Sequence, residues 1–213
     1  MRATAILPVK RFADAKQRLA PGMGATHRVE LAAAMLEDVL EAIGAARSVE
    51  RTVVVTSEPR AAKLARAAGA ELVPDPDAGG HSGAALAGVA HARELGAERV
   101  ILLPIDCPLL SPRELERLLT GMPDSYVAVV PDRHGTGTNA LALAPPDAIE
   151  PSFGEGSCAR HVAAARAARV PYGVEELPSL ALDLDTPADV VALTMALERE
   201  RGRAKRTAKA LGI

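Results

Sequence analysis

Near its start the sequence reads Ala3-Thr4-Ala5-Ile6-Leu7-Pro8-Val9, a stretch without a charged side chain that is followed at once by Lys10 and Arg11. A continuous, mostly aliphatic run without polar alternation is typical of a strand buried on both faces, as the strands of a parallel sheet are. Five further runs of this kind lie at residues 52–56, 71–73, 100–104, 126–130 and 140–143. We therefore predict a buried sheet of six strands.

Ala-rich stretches with helical signals lie between these strands. Leu31, Met35, Val39 and Ile43 recur every four residues in the predicted helix 27–45 and give it one apolar face. Further helices are predicted at 59–68, 82–95, from 111, at 158–168 and from 186, where Ser111-Pro112-Arg113-Glu114 and Thr186-Pro187-Ala188-Asp189 resemble capping boxes. The alternation predicts an α/β fold, a mostly parallel sheet with helices on both faces.

The composition predicts one domain over residues 1–213 and argues against several partners. No linker divides the chain; the segment near 131–160 is expected to be irregular, and the basic tail 203–213 is expected to be a frayed end. A net charge of -2 and 2% aromatic residues argue against nucleic-acid binding. The oligomeric state stays open, a homodimer included.

The sequence shows no signal for secretion or membrane insertion, and we therefore predict a cytoplasmic protein. No charged and then apolar leader precedes the first strand, and no apolar run approaches the ~18 residues of a membrane span, so we expect no membrane association. Two distant cysteines, Cys107 and Cys158, fit a reducing compartment and lack the spacing of a zinc site. Cys158 is interpreted as a packed small residue.

Basic residues follow the first strand, where open parallel sheets bind ligands outside the carboxyl ends of their strands. Lys10, Lys16 and Arg18 suit phosphate oxygens, Lys as a point charge and Arg as a fork. The spacing matches neither a P-loop nor the dinucleotide-binding glycine pattern. The alternative is an ordinary solvated basic loop.

Carboxylates at two other places could hold a metal. Asp106 follows the fourth strand, and Mg²⁺ prefers one or two carboxylates together with substrate phosphates. The alternative, that Asp106 caps the next helix, is weakened because Ser111 already fills that position. Asp183 and Asp185 point to one side of an extended segment. We favour Asp183 as the second ligand, because Asp185 lies nearer a helix N-terminus that attracts an anion.

Two glycine-rich segments could bind an anion. Residues 132–139 read DRHGTGTN, and backbone N–H groups or Thr hydroxyls there could hold a carboxylate or phosphate. Gly154-Glu155-Gly156-Ser157 opens the helix 158–168, and a helix N-terminus behind such a turn is an anion site. The alternative for both is plain turn chemistry. His161 is interpreted as a packing or surface residue rather than a base.

Taken together, these motifs resemble one family, the guanylyltransferases of coenzyme F-420 biosynthesis. The resemblance is carried, in this order, by Pro8-Val9-Lys10, Ala15-Lys16-x-Arg18-Leu19, Asp106-x-Pro108-Leu109-Leu110, residues 135–141, Phe153-Gly154 with Ser157-x-Ala159-Arg160-His161, and residues 183–189. Members of this family join GTP to 2-phospho-L-lactate or, in the actinobacterial type, to phosphoenolpyruvate. The resemblance covers all but the basic tail.

The resemblance implies a nucleotide-diphospho-sugar-transferase-like fold, a three-layer α/β/α sandwich, with GTP as donor, Mg²⁺ as cofactor and pyrophosphate as leaving group. It places the site on these residues: Lys10, Lys16, Arg18 and Asp106 for catalysis; Lys10, Lys16, Arg18 and Ser82 for the nucleotide; Thr138, Gly154 and Ser157 for the phosphorylated acid; and Asp106 and Asp183 for the metal. Ser82 departs from the pattern, since the family has Asn there, which puts the base or ribose contact in doubt.

Two other functions remain open. A non-catalytic nucleotide-binding module of the same fold would keep the basic loop without needing both carboxylates. A transferase acting on a sugar phosphate would carry a glycine-rich loop after the first strand, and this chain lacks one. The motifs do not discriminate phosphoenolpyruvate from 2-phospho-L-lactate; the Ala- and Arg-rich composition, typical of a GC-rich genome, favours phosphoenolpyruvate.

Overall fold

A computed structural model describes residues 3–14, 16–199 and 202–213. Its centre is a seven-stranded sheet in the order β3-β2-β1-β4-β6-β5-β7. The strands are β1 Ala3–Val9, β2 Val49–Thr56, β3 Glu71–Val73, β4 Val100–Leu102, β5 Tyr126–Pro131, β6 Thr138–Ala144 and β7 Tyr172–Val174. Each predicted run corresponds to a strand, although the run 100–104 extends two residues beyond β4, and β7 is an addition at the edge.

The sheet is mostly parallel, as predicted, and one strand is reversed. β6 pairs antiparallel with both β4 and β5, while β1, β2, β3 and β4 pair in parallel with one another and β7 pairs in parallel with β5. The reversal brings the start of β6 to the edge where the other strands end, and Pro131 of β5 pairs with Thr138. The loop between them therefore lies at the ligand edge of the sheet.

Helices cover both faces of the sheet. They are α1 Ala25–Ala45, α2 Pro59–Ala67, α3 Gly80–Glu94, α4 Pro112–Gly121, α5 Ser157–Ala168, α6 Pro187–Arg199 and α7 Lys205–Leu211. Leu7 faces the core shared with α1, α2 and α4, whereas its neighbour Ile6 faces the core shared with α3 and α5. This alternation along a strand produces the three-layer α/β/α sandwich.

Close packing of α3 requires a glycine. A Cβ on Gly88 would lie 2.4 Å from Ile6 Cγ2 and 3.0 Å from Val55 Cγ2, and a side chain there would push the helix off the sheet. The first turn of α3 carries His81 and Ser82, so this contact also sets their distance from the strand ends.

The expectation of a frayed basic tail is wrong for residues 205–211, which form α7. The Asp38 carboxylate on α1 caps this helix: it accepts the N–H of Arg206 at 3.2 Å, and the N–H and hydroxyl of Thr207 at 2.8 and 2.7 Å. His27 hydrogen-bonds the Ala210 carbonyl at the other end. The Asp38 carboxylate on α1 thus offsets positive charge of the tail, and the sequence of the tail itself gives no sign of this partner.

Within the described ranges, no helix combines the length and apolar character needed to cross a membrane.

Candidate active site

A cleft opens at the carboxyl ends of β1 and β4, where the order of strands reverses direction along the sheet. The chain leads from β1 towards one edge of the sheet and from β4 towards the other, which leaves a gap between the loops that follow these two strands. The cleft is lined by Lys10, Lys16, His81 and Asp106 together with loop residues of both strands. Three of the predicted site residues therefore share one cavity.

Lys16 joins two carboxylates that come from distant parts of the chain. Its Nζ lies 2.7 Å from Asp106 Oδ2 and 2.8 Å from Asp185 Oδ1, and its side chain is only 7% exposed. The backbone of Lys16 has φ 56° and ψ 37°, a left-handed conformation that costs energy for a residue with a Cβ. For Lys16 the solvated-loop alternative is therefore wrong.

The ion pair keeps both partners charged. Burial alone would lower the pKa of Lys16, but the negative charges of Asp106 and Asp185 outweigh it and raise that pKa above its usual range. Burial alone would raise the pKa of Asp106, but the charge and hydrogen bond of Lys16 lower it. The site thus holds a charged ammonium against the ionised Asp106 carboxylate at neutral pH, with the Asp185 carboxylate also in contact with that ammonium.

Asp185 does not serve the helix that follows it. The α6 N-terminus is capped by Thr186 and Asp189, whose carboxylate accepts the N–H of Asp185 at 3.0 Å and of Thr186 at 2.7 Å. The carboxylate of Asp185 instead faces Lys16. The reason for preferring Asp183 as a metal ligand is therefore wrong, and Asp185 is as well placed beside Asp106.

Asp183 lies close to the same acidic group. Burial and the negative charge of Asp106 raise the pKa of its carboxyl, while a hydrogen bond from Asn139 acts in the opposite direction. The Asn139 amide also donates to the Leu180 carbonyl at 2.6 Å, which holds it against the segment that leads to Asp183. Asp183 as a metal ligand stays a prediction.

Asp106 is not a helix cap. The Ser111 hydroxyl accepts the N–H of Glu114 at 3.5 Å and caps α4, as the sequence predicts. Within the described part of the chain no three Asp, Glu, His or Cys side chains are arranged around one point as metal ligands. Two or three hard carboxylates around the Lys16 ammonium nonetheless suit Mg²⁺, which completes its coordination with water and phosphate oxygens.

The other two basic residues of the loop are placed differently. Lys10 Nζ pairs at 2.6 Å with Asp75 Oδ2, and the Lys10 side chain is 41% exposed whereas that of Asp75 is 3% exposed. Arg18 is exposed and, among the described residues, has no hydrogen bond or ion pair. Lys10 lines the cleft, whereas Arg18 is not among the residues that line it, and the phosphate contacts of both remain predictions.

Asp132 organises the glycine-rich loop between β5 and β6. Its carboxylate accepts the N–H of His134 and of Thr136 at 3.0 Å and of Gly137 at 2.9 Å. These bonds outweigh the effect of burial and lower the pKa of Asp132. A Cβ on Gly137 would lie 2.6 Å from Asp132 Oδ2, which explains the glycine. The loop N–H groups at 136 and 137 are therefore not free for an anion, contrary to expectation.

The turn before α5 carries a buried polar group, the Ser157 hydroxyl, without a partner among the described residues. Ser157 is 1% exposed, and its Oγ has no hydrogen-bond partner in the described part of the chain. Gly154 and Gly156 adopt φ 109° and 68°, and Arg160 donates to the carbonyls of Ser152, Phe153 and Glu155. With those carbonyls tied to Arg160, an orphaned buried hydroxyl at a helix N-terminus is suited to an anion.

Thr138 lies beside this turn at the start of β6. Its Oγ1 is 3.0 Å from Nδ1 of His161, and Nε2 of His161 accepts the N–H of Ser152 at 2.9 Å. His161 is fully buried, as the sequence interpretation of a packing residue expects. Burial and the charge of Arg160 lower its pKa to about 4, so the ring is neutral near pH 7 and is no general base.

Ser82 contacts the segment that leads into the turn before α5. Its Oγ accepts the N–H of Phe153 at 2.9 Å. The Phe153 ring packs edge-on against His81 and His161, with centroids 5.1 and 5.3 Å away. Ser82 therefore connects the start of α3 to the turn that carries Gly154, and its predicted nucleotide contact stays a prediction.

Neither cysteine is placed as a nucleophile. Cys107 is buried and its Sγ donates to the Leu180 carbonyl at 3.5 Å; burial and the nearby carboxylates raise the pKa of its thiol well above the usual range. Cys158 is 8% exposed, which confirms its interpretation as a packed residue. The pKa of its thiol is raised by burial and by Asp132.

An apolar cluster supports the acidic side of the cleft. Leu19 follows the basic loop, Leu109 follows Asp106, and Leu184 separates Asp183 from Asp185; all three pack together with residues of α1, α6 and α7. The Leu184 N–H also donates to the Asp106 carbonyl at 3.0 Å. Three distant segments are thereby held in one place.

Sequence reasoning missed several residues that the fold brings to the site. Asp75 and His81 line or border the cleft, Asp132 holds the loop, and Asn139 and Arg160 hold Asp183 and the α5 turn. The signal for Asp132 was available, because an Asp two to five residues before Gly and Thr often accepts their N–H groups. The pairing of Asp75 with Lys10 spans 65 residues and leaves no local pattern.

Comparison with known proteins agrees with this geometry. The family model described as "Guanylyl transferase CofC like" matches residues 3–213. The chain is 49% identical over 210 residues to the phosphoenolpyruvate guanylyltransferase of Conexibacter woesei, which covers 97% of this chain and 94% of that protein. It is 39% identical over 193 residues to the protein of the same name from Sphaerobacter thermophilus, covering 91% and 93%.

Solved structures share the fold at low sequence identity. A candidate nucleotide-diphospho-sugar transferase from Desulfovibrio desulfuricans G20 superposes with a TM-score of 0.77 at 18% identity, covering 99% of this chain and 97% of that one. A CMP:2-keto-3-deoxy-manno-octonic acid synthetase in complex with CTP gives 0.61 at 14% identity, covering 94% and 100%. These likenesses show the nucleotide-diphospho-sugar-transferase-like fold.

Proposed function

The chain belongs to the guanylyl transferase CofC like family, and we propose that it joins GTP to phosphoenolpyruvate with release of pyrophosphate, a step of coenzyme F-420 biosynthesis. The observation that carries this proposal is the match to proteins named phosphoenolpyruvate guanylyltransferase over nearly the whole chain. The cleft supports it, because it combines basic side chains with carboxylates, and the turn before α5 adjoins it through the contact of Phe153 with His81.

The chemistry needs no nucleophile from the protein. A phosphate oxygen of phosphoenolpyruvate, already ionised near neutral pH, attacks the α-phosphorus of GTP; the bond from the α-phosphorus to the bridging oxygen breaks, and pyrophosphate departs with the electron pair. This agrees with the inert states of Cys107, Cys158 and His161. Catalysis then depends on positioning and on neutralising charge.

Each side of the cleft has its own part in the proposal. Lys10, Lys16 and Arg18 supply positive charge to the triphosphate and to the departing pyrophosphate. Thr138, Ser157 and the N–H groups near Gly154 bind the carboxylate and phosphate of the acid; the buried, unpartnered Ser157 hydroxyl supports this placement.

We propose Mg²⁺ as the cofactor, held by Asp106 together with Asp183, Asp185 or both. When bound, Mg²⁺ would neutralise phosphate charge and act as a Lewis acid. The fit rests on the donor set: hard carboxylate oxygens that already enclose a cation, the Lys16 ammonium, in a cleft open to phosphates.

Pyrophosphate release tests the proposal directly. The protein is incubated with Mg²⁺, each of the four ribonucleoside triphosphates and either phosphoenolpyruvate or 2-phospho-L-lactate, and the products are identified by mass. We expect release with GTP and phosphoenolpyruvate. Preference for 2-phospho-L-lactate would make that acid the acceptor instead, and release of pyrophosphate with neither acid would overturn the proposal.

A pair of variants separates catalysis from mere nucleotide binding. Asp106→Asn should lower kcat at least about a hundredfold and stay folded, at a cost of about 1–3 kcal/mol in stability, because the buried Lys16 loses one of its two charged partners. Asp147→Asn, at an exposed ion pair with Arg93, is the matched control and should behave like wild type. Near-wild-type turnover of folded Asp106→Asn would contradict the assignment.

A further inference from the structure

His161 lies on α5 with no exposed surface and with both ring nitrogens engaged. Nε2 is 2.9 Å from the backbone nitrogen of Ser152, and Nδ1 is 3.0 Å from Thr138 Oγ1. The Phe153 ring meets it edge-on, at an interplanar angle of 73°. The imidazole thus connects the start of β6 to the segment that leads into the α5 turn.

The partner of Nε2 determines where the imidazole carries its hydrogen. A backbone N–H can only donate, so Nε2 is the nitrogen with the lone pair. In the neutral ring the hydrogen then lies on Nδ1, which donates to Thr138 Oγ1. Protonating Nε2 would set two donors against each other in a buried place, in agreement with a pKa lowered to about 4 by burial and by Arg160.

This hydrogen bond leaves the Thr138 hydroxyl as a donor. One lone pair of Oγ1 is occupied by Nδ1–H, and the hydroxyl hydrogen must therefore point elsewhere. In the described ranges no protein atom accepts it. Oγ1 keeps a second lone pair, but its hydrogen is turned away from Nδ1, and only a ligand that supplies an acceptor would satisfy that hydrogen.

We propose that His161 is a positioning residue that commits the Thr138 hydroxyl to donate a hydrogen bond to the phosphorylated acid. The inference rests on the proposed function and deepens it, because ionised carboxylate and phosphate oxygens only accept hydrogen bonds. The same ring holds Ser152 in place, beside Phe153 and Gly154. His161 therefore selects an anion at this position without touching it.

A double-mutant cycle tests whether His161 acts through Thr138. Initial rates of pyrophosphate release are measured for wild type, His161→Leu, Thr138→Val and the double variant, first varying phosphoenolpyruvate at saturating GTP and then the reverse. Each single variant should raise the KM for phosphoenolpyruvate on the order of tenfold, the effect of losing a hydrogen bond to a charged group, and leave that for GTP nearly unchanged. The double variant should be no worse than the worse single one.

Two further variants keep the test decisive if His161→Leu folds poorly. His161→Asn can place its amide donor near the position of Nδ1 and should recover part of the lost affinity for the acid. Thr207→Val is the matched control, since its buried hydroxyl donates to Asp38 at 2.7 Å in the contact between α1 and α7. It should lower stability and leave both KM values as in wild type.

The outcomes separate this inference from the proposed function. Equal increases in both KM values, additive effects in the double variant, or His161→Asn no better than His161→Leu would overturn the role of His161 while turnover by wild type upholds the function. A wild-type protein that releases no pyrophosphate with either acid would overturn the proposed function, and the inference with it.

Discussion

Lys16 concentrates the electrostatics of the cleft in one side chain. Its ammonium is almost fully buried between Asp106 and Asp185, and removing it leaves like charges facing each other. Lys16→Ala should destabilise the protein without added metal by about 1–3 kcal/mol, a range that allows for the partial exposure of both carboxylates. Added Mg²⁺ should then restore more stability than it adds to wild type, because no ammonium competes for the carboxylates.

Thermal unfolding with and without Mg²⁺ measures this difference, and turnover of Lys16→Ala should fall at least about tenfold. Lys10→Ala is the control, since Lys10 pairs with Asp75 and not with the acidic group. A Mg²⁺-induced stabilisation of equal size in wild type and both variants would show that Lys16 and the metal do not share a site.

His161 gives the folded protein a defined sensitivity to acid. Its pKa is lowered to about 4 in the folded state, whereas an unfolded chain takes up the proton near 6.5. The unfolded state therefore binds more protons between these values, and stability falls as the pH drops from about 6.5 to about 4, by roughly 3 kcal/mol.

Urea unfolding at about pH 7.5 and about pH 4.5 checks the size of this loss. His161→Asn lacks the titrating ring and should lose less stability over the same interval, while the other histidines titrate alike in both proteins. An identical loss in the variant would mean that the imidazole is not buried and neutral as the structure has it.

At the level of elements, α7 shows why a segment's charge is a poor guide to its order. The tail reads as a solvated basic stretch, yet Asp38 caps it and Arg206 reaches Glu37, Asp38 and Glu41 on α1. Ala204 and Leu211 add contacts to the apolar cluster behind the acidic side of the cleft. The helix is specified by α1, about 165 residues earlier in the chain, and not by its own sequence.

Asp38→Ala should detach α7. The buried carboxylate holds the backbone N–H groups of Arg206 and Thr207, and its loss should cost about 1–3 kcal/mol of unfolding free energy. Limited trypsin digestion should cleave the basic tail faster in this variant. Glu41→Ala, which removes only an exposed partner of Arg206, is the control and should change little. Equal digestion rates would show that α7 does not depend on its cap.

Local patterns predicted the strands and most helices because buried parallel strands and capped helices carry their own signals. The direction of a strand carries no such signal. β6 has the same aliphatic composition as its neighbours, yet it runs antiparallel to β4 and β5, because the chain turns back at the ligand edge between β5 and β6. β7 escaped prediction because Gly173 lies at its centre and Tyr172-Gly173-Val174 forms no continuous aliphatic run. The edge on which the site lies followed from the sheet, since strand ends gather there.

For the whole molecule, the site residues were predictable as a set and their pairings were not. Lys16 meets Asp106 and Asp185 across 90 and 169 residues, and no periodicity spans such distances. The order of the motifs along the chain identified the site residues, whereas their spatial arrangement depends on packing around Leu184. The reason given for choosing Asp183 over Asp185 was wrong because it considered only the nearest helix, while the partner of Asp185 lies in the first loop.

The two sides of the cleft are connected through Ser82, and this connection should couple the two substrates. Its Oγ accepts the N–H of Phe153, beside the turn proposed to bind the acid, while its helix, α3, begins at the cleft proposed to bind the nucleotide. In Ser82→Ala that N–H loses its partner and the turn is free to move independently of α3. In wild type we expect saturating GTP to change the KM for phosphoenolpyruvate by a factor of about 5 or more, the usual size of coupling between two sites. In Ser82→Ala this change should be smaller. Ser82→Asn keeps an acceptor oxygen and should preserve the coupling; a response in Ser82→Ala as strong as in wild type would show that the halves act separately.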